Sequence, residues 1–148
     1  NYSMFNRWIE NGLLDALTDV GAGCIAFSPL AQGLLTDKYL KGVPSDARVT
    51  RDGSFQKGML SPENIERIRA LNDIALRRGQ TLAQMAIAWA LRDPRVTSAL
   101  IGARTVEQLD NSLGALDNLD FSAEELANID VHAVDGGTDL WRVSASIG

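Results

Sequence analysis

The 148 residues are 45% hydrophobic and 22% charged, with a formal net charge of −5. That length fits one domain, which buries roughly 70% of its unfolded surface, and the acidic balance argues against a general nucleic-acid or anionic-membrane binder, since both need a basic face. No apolar run approaches the ~20 residues of a membrane span, and the single cysteine, Cys24, cannot form an internal disulfide; it reads as a buried thiol in a reducing, cytoplasmic setting.

The chain opens at Asn1 with NYSMFNRW, which reads as a strand end entering a loop, so residues 1–148 are expected to be the C-terminal segment of something longer. Residues 13–20 place Leu13, Leu14, Leu17 and Val20 along one helical face and stop at Gly21 and Gly23. A strand over 23–27 follows, ending at Phe27-Ser28-Pro29. Residues 40–60 have no period and carry Gly, Pro, Ser and Asp, a loop longer than compact domains commonly hold.

Ser61-Pro62-Glu63 is a cap followed by proline at the first helical position, with Ile65, Ile68, Leu71 and Ile74 behind it. Thr81-x-x-Gln84 is a capping box that opens a helix with Leu82, Met85, Ala86, Trp89 and Ala90 on one stripe, closed by Asp93-Pro94. A second strand is predicted over 96–101. Thr105-x-x-Gln108 and Ser122-x-x-Glu125 open two more helices, the first carrying Val106, Leu109, Leu113 and Leu116, the second Leu126, Ile129 and Ala133. Both strands lack a charged face, which suits a parallel sheet covered on both sides. The order is that of an α/β fold, either part of a (β/α) barrel or an open doubly wound sheet.

In such folds ligands collect where loops leave the C-terminal ends of strands. The first such loop runs from Phe27 through Gln32 to Lys38; Phe27 either offers a flat face to a planar ring or closes the core. The second, Ile101-Gly102-Ala103-Arg104-Thr105, is either a phosphate site at a helix start, where free N–H groups and an arginine fork converge, or a tight turn with a solvated arginine. Other chemistries have little support. His132 is the one histidine and has no companion at metal spacing, so no metal site is expected. There is no Gly-x-Ser-x-Gly elbow, dinucleotide fingerprint or Walker sequence.

At these residues the sequence resembles the aldo-keto reductase family, in the branch of potassium-channel beta subunits and bacterial L-glyceraldehyde 3-phosphate reductase. NYSMFNR, IAFSPLAQGLLTDKY, GQTLAQMAIAWAL and SALIGARTVEQLDNSLGAL carry the likeness, in family order and across nearly the whole chain. The resemblance implies the C-terminal part of a (β/α)₈ TIM barrel, with the N-terminal half absent, and NADP(H)-dependent reduction of a small carbonyl substrate. Carried over by position, it implies that Phe27 stacks on the nicotinamide while Ser28, Pro29, Leu30, Ala31 and Gln32 wrap the ribose and pyrophosphate. Lys38 and Arg48 would face the phosphates. Gly102, Ala103, Arg104 and Gln108 would hold the 2′-phosphate end, with Asn111 and Ser112 near adenine, and Trp141 would wall the substrate pocket.

The family's tyrosine, lysine and aspartate belong to the first half of its barrel, so no catalytic residue is assigned here and this segment alone is expected to be inactive. The alternative is a nucleotide-binding regulatory module of channel beta-subunit type that senses cofactor redox state. Unpaired sheet edges are prone to association, which puts a homo-oligomer among the expectations.

Overall fold

The structure, a computed structural model, describes residues 1–40 and 57–138. Its elements in chain order are α1 (Leu13–Asp19), β1 (Cys24–Phe27), α2 (Pro62–Arg77), α3 (Leu82–Leu91), β2 (Val96–Leu100), α4 (Val106–Leu113) and α5 (Ala123–Asp130), joined by short 3₁₀ turns. Most of the loop expected over 40–60 lies outside the described residues.

The helix ends follow the local signals. The hydroxyls of Ser61, Thr81, Thr105 and Ser122 each accept a hydrogen bond from the amide three residues on, and full capping boxes form at Thr81–Gln84 and Ser122–Glu125. α1 and α2 close the same way: Gly21 and Gly79 take positive φ, and the residue after each glycine donates back to the helix, Ala22 to the Leu17 carbonyl and Gln80 to that of Ala75. Only a residue without Cβ adopts that conformation at low cost.

β1 and β2 pair in parallel, as expected for strands joined by a helical crossover. The core lies between this sheet and the helices. Ile68, Leu71 and Ile74 of α2 and Leu82, Met85, Ala86, Trp89 and Ala90 of α3 are all buried, as their spacing predicted. Arg78 joins α5 to α2. Its buried guanidinium binds Glu125 Oε1 at 2.6 Å and the carbonyls of Asn118 and Asp120, and it stacks 3.7 Å over the Phe121 ring.

Two expectations fail. The strands are covered on one face only among the described residues: Cys24 and Ala26 are buried, whereas Ile25 is 70% exposed and Leu100 lies open as well. The apolar stripe of α4 also faces outward, with Val106, Leu109, Leu113 and Leu116 exposed and Ser112 and Ala115 buried instead. Neither strand carries a charge, yet among the described residues only one face of the sheet is buried. No helix among the described residues is long and apolar enough to cross a membrane.

Candidate functional site at the C-terminal ends of the strands

The strand register places the two loops side by side. Ala26 pairs with Ala99 and Phe27 with Leu100, so Ser28 and Ile101 leave the same end of the sheet in neighbouring positions. Gly102 is two residues beyond that pair, at most about 7 Å of extended chain.

The first loop is compact and strained. Ser28, Ala31 and Gln32 hold φ of 57°, 47° and 60°, a left-handed region that non-glycine residues occupy at a cost of order 1–3 kcal/mol each. Internal hydrogen bonds hold it: Ala31 N–H to the Ser28 carbonyl at 2.9 Å, Gly33 N–H to Leu30 at 2.8 Å and the Thr36 hydroxyl to Gly33 at 2.8 Å. Pro29, Ala31, Leu34, Leu35 and Tyr39 are buried beneath it, which explains why the residues after the turn stay apolar. Phe27 stays 38% exposed on the open face of the sheet, Leu30 and Gln32 are half-buried, and Lys38 is exposed with its ammonium 5.5 Å from the Tyr39 ring centre.

The second loop is open. Gly102, Ala103 and Arg104 are all exposed, and the Arg104 guanidinium makes no ion pair with a described residue. At the start of α4 the Thr105 hydroxyl caps the Gln108 amide, while the Gln108 side-chain oxygen accepts from the Arg104 amide at 3.0 Å rather than from that of Thr105. Gln108 therefore steadies the backbone that carries the arginine. A Cβ at Gly102 would meet nothing within 4 Å, and no positive φ calls for glycine there, so neither conformation nor crowding among the described residues demands it.

Asn111 and Ser112 lie one turn or more along α4. The Ser112 hydroxyl is donated to the Gln108 carbonyl at 2.9 Å, and Asn111 Oδ1 accepts from the Thr81 hydroxyl at 3.4 Å. Arg48 and Trp141 lie outside the described residues. A cleft of about 360 Å³ opens elsewhere, between Met59, the start of α2 and residues 135–137, and none of the residues predicted for the cofactor line it.

One cluster had no signal in the sequence, because its members are scattered along the chain. Tyr2 is fully buried and stacks at 5.2 Å on Trp89. Its hydroxyl donates to Glu10 at 2.6 Å and accepts from Arg92 at 2.6 Å, and Arg92 itself lies 3.7 Å over Trp89. Burial first, then the bond to Glu10, pushes the Tyr2 phenol far above its ordinary range, so it is not poised as a proton donor. Burial alone would raise Glu10, but hydrogen bonds from Arg7, Tyr2 and Arg92 outweigh it and hold the carboxyl low. Among the described residues no group of three or more His, Cys, Asp or Glu side chains could hold a metal ion.

Known proteins resemble this chain in sequence and in fold. The chain is 52% identical over 150 aligned residues to L-glyceraldehyde 3-phosphate reductase of Escherichia coli K12, covering 98% of this chain and 43% of that protein. It is 38% identical to a probable voltage-gated potassium channel subunit beta of Arabidopsis thaliana, over 78% of this chain and 37% of that one. The glycerol dehydrogenase of Gluconobacter oxydans superposes with a TM-score of 0.67 at 28% identity, over 88% of this chain and 40% of its own. The chain thus spans under half the length of the relatives it matches, and its α/β architecture is that of part of the aldo-keto reductase TIM barrel. With the model of the Aldo/keto reductase family matching residues 1–134, the chain belongs to that family.

Proposed function

We propose that this chain is the C-terminal, NADP(H)-binding portion of an oxidoreductase that reduces aldehydes or ketones to alcohols. The observation that carries the reading is the flush pairing of Phe27 with Leu100, which brings the strained loop after β1 beside the open, arginine-bearing loop after β2. The residues present suit a phosphorylated dinucleotide. Gly102 leaves room for close approach, beside the positive end of the α4 dipole. Arg104, with no ion pair to a described residue, offers a guanidinium fork for a 2′-phosphate. Phe27 presents its exposed ring as a platform for the nicotinamide, with Ser28 to Gln32 along the ribose and pyrophosphate and Lys38 adding positive charge.

The bound nicotinamide supplies the hydride. The chain's own residues orient it and shield one face from water. Among the described residues neither tyrosine is placed as a general acid, since the Tyr2 hydroxyl is held between Glu10 and Arg92 and Tyr39 is buried. The acid, and the residues that complete the barrel, are assigned to sequence beyond this chain; the open face of the sheet and the outward stripe of α4 are where that remainder packs. A cytoplasmic location fits the lone buried Cys24. The name of the 52% identical relative makes L-glyceraldehyde 3-phosphate the first carbonyl compound to try.

Titration of the protein carrying this chain with NADPH and NADH, with and without Arg104→Ala, tests the assignment. NADPH is expected to bind more tightly, and the substitution to remove most of that preference; equal binding of the two by the unaltered protein overturns the NADP reading. The likeness to a channel beta subunit supports a second reading, a regulatory module that senses the cofactor's redox state. Such a module binds NADPH without appreciable turnover of a small aldehyde, so a rate measurement separates the two.

A further inference from the structure

The open question at the candidate site is what keeps the strained end of β1 in place. A non-glycine residue held at positive φ persists only where its surroundings over-determine it, and Ser28 turns the chain immediately after Phe27. Its own carbonyl is held locally, by the Ala31 amide. The Phe27 carbonyl is held from a distance, by the Tyr2 amide at 3.1 Å. Tyr2 is in turn gripped from behind: its ring lies against Trp89, its hydroxyl bridges Glu10 and Arg92, and Arg92 also binds Glu10 at 3.0 Å. Arg7 closes the far side, binding Glu10 at 2.8 Å and Asp130 of α5 at 2.6 Å. A partly buried brace thus runs from the C-terminal end of α3 through Tyr2 to the peptide that joins Phe27 to Ser28.

We propose that Tyr2 is a positioning residue for the nicotinamide end of the cofactor, acting through the Phe27 carbonyl to hold the Phe27 ring and the Ser28 turn in their receiving geometry. The inference rests on the cofactor assignment above, and it touches only one end of the ligand. Arg104 and Gly102 sit on the other loop, which the brace does not reach, so slackening the brace leaves the 2′-phosphate end as it was.

The experiment uses the two ends of the ligand separately, in the protein carrying this chain. Affinities for NADPH and for adenosine 2′,5′-bisphosphate, which lacks the nicotinamide half, are measured for the unaltered protein and for Tyr2→Phe, which keeps the ring and removes the hydroxyl. NADPH binding is expected to weaken about three- to thirtyfold, the range for residues that act through a packed network, while the bisphosphate binds as before. An equal loss for both ligands would mean general destabilisation and overturns the proposal, as does no change for either. If Tyr2→Phe does not fold, Glu10→Gln slackens the same brace from its other side and is read identically. An unaltered protein that binds neither ligand overturns the cofactor reading and this inference with it; one that binds both, with a variant indistinguishable from it, overturns this inference alone.

Discussion

The hydroxyl of Thr97 accepts a hydrogen bond from the Cys24 amide at 3.2 Å, at the one place where the two strands slip register. Cys24 pairs with Val96 and Ile25 with Ser98, so Thr97 is the extra residue of a bulge, and its side chain supplies the acceptor that the displaced backbone does not. The same oxygen lies 2.5 Å from where a Cβ on Gly23 would sit. This slip sets the register that brings Phe27 opposite Leu100, and hence the two loops together.

Gly23→Ala is therefore expected to destabilise the protein by about 1–3 kcal/mol through overpacking. Thr97→Ala should cost about 1–2 kcal/mol by leaving the Cys24 amide without its acceptor. In the double variant the clash is gone, so the combined loss should fall short of the sum. Denaturant midpoints of the four proteins close the cycle; strict additivity would show that the two residues do not meet.

Gly102 separates stability from ligand binding. Gly102→Ala adds a methyl group to open space at ordinary φ, so the denaturation midpoint should move by no more than about 0.5 kcal/mol equivalent. NADPH affinity should nevertheless fall at least tenfold by titration, because the added group occupies the approach proposed for the ligand. Unchanged affinity would remove Gly102 from the binding surface.

Arg78 and Glu125 form an asymmetric pair, 2% and 34% exposed at their side chains. Arg78→Met should cost about 3 kcal/mol, since it strands the Asn118 and Asp120 carbonyls along with the carboxylate and loses the stack on Phe121. Glu125→Gln keeps an acceptor beside the arginine and should cost about 1 kcal/mol or less. Thermal unfolding of both variants checks the ranking; a larger loss for Glu125→Gln would contradict the asymmetry of the pair.

Acid should weaken the fold through Glu10. Its carboxyl is held below the ordinary value of 4.5 in the folded state, so the unfolded chain takes up the proton first on acidification. Its contribution is thus fully present above about pH 4.5 and is lost as pH falls through the lower folded value. Asp93, held down mainly by the Arg95 side chain, loses its contribution in the same direction. Glu10→Gln should flatten the fall of stability below that pH, as read from urea midpoints across the acid range; an unchanged slope would exclude Glu10 as a source.

What the sequence determined by itself was local. Ser61, Thr81 and Ser122 mark helix starts because a side-chain oxygen satisfies an amide three residues away, and Gly21 ends α1 because a neighbouring left-handed residue is needed there. The order of elements and the two loops of the candidate site were legible for the same reason: both are written in consecutive residues. Only the tertiary structure decided which apolar faces are covered. Val106 and Leu109 have the spacing of core residues and lie on the surface, because periodicity reports that a face is apolar and not what stands opposite it. It likewise decided that Ser112 is spent on the Gln108 carbonyl, that Ser28, Ala31 and Gln32 are strained without a glycine to announce it, and that Tyr2 reaches Trp89 and Arg92 some ninety residues away. The Tyr2 contacts depend on partners distant along the chain, and pairings of that kind exist only once the elements have packed.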